Sequence, residues 1–124
     1  MATRADPLVA HCIELLSGAG AVRSRRMFGG WGLYVDDLFV ALIAADELYL
    51  KVDAHTRTRF EAQGCRPFVY RQGDRVVGLG YWTAPQDAME SPAQMREWVA
   101  LAVAAALRAR AARRSPGVKR PRAR

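Results

Sequence analysis

Cysteine and histidine are scarce in this 124-residue chain, with two of each. Cys12 and Cys65 lie far apart and outside any CxxC, which points to reduced core thiols rather than a disulfide framework. His11 sits beside an apolar stripe and His55 stands alone, and no set of His, Cys and carboxylates recurs at metal-ligand spacing. No metal site is expected. No apolar run reaches the roughly 18 residues that a membrane span needs. The N-terminus lacks the apolar core and cleavage site of a signal peptide, so a cytoplasmic protein is expected. The chain holds no G-x-S-x-G, no HExxH and no GxxxxGK[ST]. Its acidic pairs, Asp36 with Asp37 and Asp87 with Glu90, fall in expected loops, where carboxylates serve turn geometry. No catalytic residue and no cofactor are expected.

Acidic residues are also missing from the last stretch of the chain. From Arg108 to Arg124 there are eight basic residues and none of opposite sign: Arg108, Arg110, Arg113, Arg114, Lys119, Arg120, Arg122 and Arg124. The other eleven basic residues face all twelve acidic ones, so the body is nearly neutral and the net charge of +7 belongs to the tail. Residues 1–107 read as one domain, with its last helix running on to about 114. Residues 108–124 form a basic tail, expected to be disordered from about 115 because it has too little apolar surface to offset ordering entropy. Hydrophobic residues make up 51% of the chain, enough for a packed core at this length.

The body is organised around RRMFGGWGLYVDDLFVALIAADELYLKVD, residues 25–53. Three consecutive antiparallel strands are expected: Arg26–Val35, Leu38–Ala44 and Glu47–Val52, joined by hairpin-length turns at Asp36-Asp37 and Ala45-Asp46. The middle strand is apolar on both faces, as inner strands are. Before it, Asp6-Pro7 starts a helix whose Leu8, Cys12, Leu15 and Leu16 share one face. After it, Asp53 is expected to cap a helix from Ala54 to about Gln63, with Gly64 closing it. Two more strands, Phe68–Arg71 and Val76–Trp82, flank a turn at Gln72-Gly73-Asp74. Ser91-Pro92-Ala93-Gln94 is a capping box opening a helix whose Met95, Trp98, Val99 and Ala102 form a core face. The fold class is α+β in two layers. An antiparallel sheet of about five strands packs against helices, in the order α-β-β-β-α-β-β-α.

Gly29, Gly30 and Gly32 precede a strand rather than a helix, so they mark a bend, a bulge or a close backbone approach and not a phosphate loop. Arg23, Arg25 and Arg26 next to Phe28, Trp31 and Tyr34 admit two readings. Basic residues among aromatics suit single-stranded nucleic acid, and they equally suit a solvated edge strand whose charge blocks unwanted pairing. The edge reading is favoured.

The same stretch carries a family resemblance. Arg-Arg-Met-Phe-Gly-Gly, then Gly-Leu-Tyr, then Leu-Tyr-Leu-Lys-Val-Asp, followed by a short helix and RPFVY, resembles the N-terminal domain of the TfoX/Sxy proteins. The resemblance runs from about Leu8 to Leu107. It implies the same order of elements, a regulator rather than a catalyst, and action with the cyclic-AMP receptor protein on transcription of DNA-uptake genes in bacteria. Full-length regulators of that family carry a second, C-terminal domain where this chain has its basic tail, and a downstream domain supplied by a co-purifying partner chain is the feature that would discriminate a regulatory role. The candidate partner surface is Arg25, Arg26, Phe28, Gly29, Gly30, Trp31 and Tyr34. The candidate nucleic-acid contacts are the eight basic residues of the tail. A homodimer through the exposed edge at 66–71 is a further possibility, and a small-ligand cleft is the least favoured reading.

Overall fold

A computed structural model describes residues 6–27, 29–72 and 75–114. Helix α1 spans Pro7–Leu16 and ends in a short 3-10 turn, Ser17–Ala19. Its start is the one the sequence implies: the Asp6 carboxylate accepts from the Leu8 amide at 2.9 Å, and Pro7 occupies the first turn. Val9, Cys12, Leu15 and Leu16 are its buried face.

Strands β1 (Val22–Met27), β2 (Gly30–Val35), β3 (Leu38–Ala44) and β4 (Glu47–Lys51) form an antiparallel meander. The sheet therefore has six strands rather than about five. The added strand is β1, which the sequence reading had merged into the approach to β2. The break comes at Gly29, whose φ of 77° turns the chain back on itself and pairs Arg26 with Trp31. Both later turns have two central residues at positive φ: Asp36 at 49° and Asp37 at 66°, then Ala45 at 51° and Asp46 at 62°. This is the type I′ geometry that matches the twist of the flanking strands.

After β4 the chain makes a turn through residues 54–56 before helix α2, Arg57–Ala62. The helix starts later than Ala54 because Asp53 spends its side chain locally. Its carboxylate accepts from the His55 amide at 3.0 Å, closing a turn that is not helical, and Thr56 takes the position before the helix. Gly64, at φ 75°, ends the segment as expected.

Strands β5 (Pro67–Gln72) and β6 (Arg75–Thr83) then form a hairpin; of the turn expected at Gln72-Gly73-Asp74, Gln72 belongs to β5 and the other two lie outside the described residues. The strand order is β1-β2-β3-β4-β6-β5, which leaves β1 and β5 as the edges. At Gly80, φ 75°, β6 bends so that its carbonyl accepts from the Val52 amide at 2.9 Å. What the sequence reads as a plain loop before the last helix holds a 3-10 turn, Gln86–Glu90. His11 Nε2 donates to the Met89 carbonyl at 2.8 Å and ties that turn to α1.

Helix α3, Pro92–Arg114, begins with the Ser91 hydroxyl accepting from the Gln94 amide at 3.2 Å. Met95, Trp98, Val99, Ala102, Ala105 and Ala106 are all buried. Together α1 and α3 cover one face of the meander, meeting Leu33, Val35, Val40, Ile43, Leu48, Leu50 and Val52. Phe60 of α2 is wholly buried and meets Trp98 edge to face, 5.1 Å between ring centroids.

Gly30 marks where two strands come closest: a Cβ there would run into the backbone oxygen of Ile43, and no side chain can yield to relieve it. Gly30→Ala should therefore destabilise the fold by roughly 1–3 kcal/mol, the cost of overpacking. A urea midpoint matching that of the unsubstituted protein would show that the β2–β3 spacing is looser than this.

Candidate binding face

Alternation along the strands sorts side chains between two faces. Leu33 and Val35 enter the core, so Tyr34 between them points to the face away from α1 and α3. The register of β2 against β3 shifts by one residue, with Leu33 opposite Ala41 and Tyr34 opposite Phe39. Val40 is the extra residue, and the bulge lets Val40 and Ala41 both bury while Phe39 joins Tyr34 on the outer face. On β4, Leu50 is buried and Lys51 faces outward, opposite Tyr81 of β6.

These outward residues form one connected file. The Arg23 guanidinium lies 4.4 Å from the Tyr34 ring centroid. Tyr34 and Phe39 are 5.2 Å apart and Phe39 and Tyr81 are 5.6 Å apart. Lys51 Nζ stands 4.9 Å from the Tyr81 ring. Three aromatic rings thus run across the sheet with a cation at each end, a favourable arrangement because the ring faces carry negative potential. Tyr34 and Phe39 are half-buried and Tyr81 is buried. Gly32 is what makes room for the file, since a Cβ there would crowd the Phe39 ring and the Met27 thioether. Burial pushes the Tyr81 hydroxyl up to about 12, so it stays protonated. Burial, with Arg113 nearby, lowers the Lys51 amine from its usual value.

The sequence-expected surface is divided by this geometry. Arg25, exposed and opposite Gly32, shares the outer face with Tyr34. Arg26 and Trp31 belong to the other face: Trp31 packs against the core, and the Arg26 guanidinium sits 5.4 Å from its ring. Gly29 is the turn residue and Gly30 the close approach, while Phe28 lies outside the described residues. Phe39, Lys51 and Tyr81 were not singled out in the sequence. They come from three other strands, and only their apolar-polar alternation hinted that they share a face.

The basic tail is divided too. Arg108 belongs to the body: its Nε and Nη2 donate to the two Asp53 carboxylate oxygens at 2.7 and 3.1 Å. Arg110 and Arg113 are exposed on the last turns of α3. Arg114 ends that helix, and Lys119, Arg120, Arg122 and Arg124 lie outside the described residues.

A separate cleft of about 430 Å³ opens among Leu48, Cys65, Arg66, Thr83, Pro85 and Met89. Its polar atoms are already engaged. The Thr83 hydroxyl accepts from the Arg66 amide at 2.9 Å, and the Arg66 side chain pairs with Glu47. Cys65 is half-buried and burial raises its thiol above the usual value, while burial drives the Cys12 thiol up to about 12, so neither is an activated nucleophile. Both cysteines are free. Among the described residues, no three His, Cys, Asp or Glu side chains gather where a metal ion could be held. Nor is any helix among them long and apolar enough to cross a membrane.

Residues 14–106 match the TfoX N-terminal domain, and the matched span covers every strand of the sheet and most of α3. The chain belongs to the TfoX N-terminal domain family. One curated relative is the DNA transformation protein TfoX1 of Aliivibrio fischeri, 28% identical over 76 residues. The alignment covers 61% of this chain and 36% of that protein, so this chain spans little more than a third of the relative's length. Within the TfoX N-terminal domain, the outer aromatic file and the core-facing stripe of α3 both fall inside the matched residues.

Arg108 holds the Asp53 carboxyl below its usual range, chiefly through the hydrogen bond it donates. A depressed folded-state value stabilises the fold above the unfolded carboxylate value of about 3.9 and loses that contribution as pH falls through the lowered value. Arg108→Gln should therefore be less stable than the parent at pH 7, with the gap closing as Asp53 protonates in acid. Urea midpoints measured from pH 7 to pH 2 test this, and a gap that persists undiminished in acid would show that the pair contributes packing rather than charge.

Proposed function

We propose that this protein is a non-enzymatic regulator related to DNA transformation, acting through protein contacts in transcription control. What supports the reading is the family match over residues 14–106, which holds every strand of the sheet, together with a relative named for DNA transformation. The charged edge strand β1 is the surface on which a cytoplasmic partner from the transcription machinery would dock. Arg25 and Tyr34 are the parts of the sequence-expected surface that share one face. Deleting the gene from its host should lower both transformation frequency and the transcripts of DNA-uptake genes, and re-expression in trans should restore them. Unchanged transcripts and frequency in the deletion strain would sink this reading.

A second reading is favoured by one observation. Arg110 and Arg113 stand exposed at the end of α3 and make no ion pair among the described residues. They lead directly into the remaining basic residues, a run suited to nonspecific contact with duplex phosphates. A chain ending at residue 109 keeps the Arg108–Asp53 pair and should lose most duplex affinity. It should also flatten the log–log salt dependence by about 0.9 per phosphate contact removed. An unchanged slope would place any duplex contact on the body.

A further inference from the structure

The face of the sheet opposite the helices combines three features that suit one kind of ligand. Tyr34 and Phe39 present half-buried rings side by side, and the buried Tyr81 lies next to Phe39. Cations flank them: Arg23 at one end, Lys51 at the other, and Arg25 exposed on β1 opposite Gly32. Arg113, on the overhanging end of α3, lies close enough to Lys51 and Tyr81 to influence both.

Two of the acidic groups bordering this face are committed elsewhere, Asp53 to Arg108 and Glu47 to Arg66, while Asp37 neutralises Arg23 at 2.9 Å. Arg25, Lys51 and Arg113 make no ion pair among the described residues, so the face as a whole carries excess positive charge. A protein partner with an acidic surface would meet the charge but leave the rings unused. Duplex DNA presents its bases already stacked and cannot use them either. An unpaired strand supplies both halves, bases to stack on the rings and phosphates for the flanking cations.

We infer that this outer sheet face binds single-stranded nucleic acid, with Tyr34 and Phe39 stacking bases and Arg25, Lys51 and Arg113 contacting the backbone. This goes beyond the regulatory reading and does not depend on it, because it assigns direct nucleic-acid contact to the body rather than to a partner or to the tail. The file crosses the strands at nearly even ring-to-ring spacing, as a platform for successive bases requires. Base–aromatic stacking tolerates any sequence, since every base has a π-face, so little sequence preference is expected.

The test uses the full chain and a fluorescein-labelled dT12, with a duplex of matching length as the second probe, read by anisotropy at several salt concentrations. Tyr34→Leu and Phe39→Leu should each weaken dT12 binding by about tenfold or more while leaving duplex binding unchanged. Arg25→Gln, at an exposed position that the fold does not need, should reduce the salt slope for dT12 by about 0.7, one phosphate on a single strand. Circular dichroism and thermal melting check that each variant is folded. If a leucine variant fails to fold, Arg25→Gln decides alone, and an unchanged slope overturns the inference. Absence of dT12 binding at low salt would overturn it. So would native-like leucine variants that bind dT12 as tightly as the parent, since the tail's charge alone would then account for the affinity. Loss of dT12 binding in these variants together with normal transformation would establish the face's ligand and separate it from the regulatory reading, which the deletion strain tests.

Discussion

Trp98 and Met95 of α3 press onto an apolar layer drawn from β2, β3, β4, α1 and α2, and Phe60, Leu15, Leu16, Leu33 and Leu50 all lie at or near zero exposure within it. Only one face of the sheet can take part, because strand side chains alternate and the helices cover a single side. Strands β2, β3 and β4 are held in one register by that burial: slipping any of them by one residue would exchange its core set for its outward set. The bulge at Val40 is the exception that proves useful. It keeps Leu38, Val40, Ala41 and Ile43 in the core while rotating Phe39 to the opposite face.

The outer face follows from the same constraint. Tyr34, Phe39, Tyr81 and Lys51 are the residues left over when the core claims their neighbours, and cross-strand pairing sets them side by side. Their spacing then permits ring–ring and cation–ring contacts that none could make within its own strand.

Asp53 joins three elements at one point. It follows β4, closes the turn into α2 through His55, and receives two Arg108 nitrogens from α3. The pairing ties Arg108, the first residue of the basic stretch, to the body. In the sequence Arg108 is the first of eight similar residues and nothing distinguishes it. Its partner lies 55 positions away, so only the folded chain could separate it from the others.

Local chemistry was enough to read the helix caps at Asp6 and Ser91, the hairpin turns at Asp36-Asp37 and Ala45-Asp46, and the core stripe of α3. Each depends on residues a few positions apart. The family resemblance was equally legible, since it rests on contiguous motifs. The sequence alone did not separate β1 from β2, because the reversal at Gly29 looks like any glycine in a strand until Gly30 meets Ile43. Nor did it separate Trp31 from Tyr34, which are close neighbours in the chain but belong to opposite faces of the sheet. The outer file was decided by tertiary structure alone: it depends on strand order, on a one-residue register shift at Val40, and on β6 inserting beside β4, and these are set by which long-range pairing buries the most apolar surface.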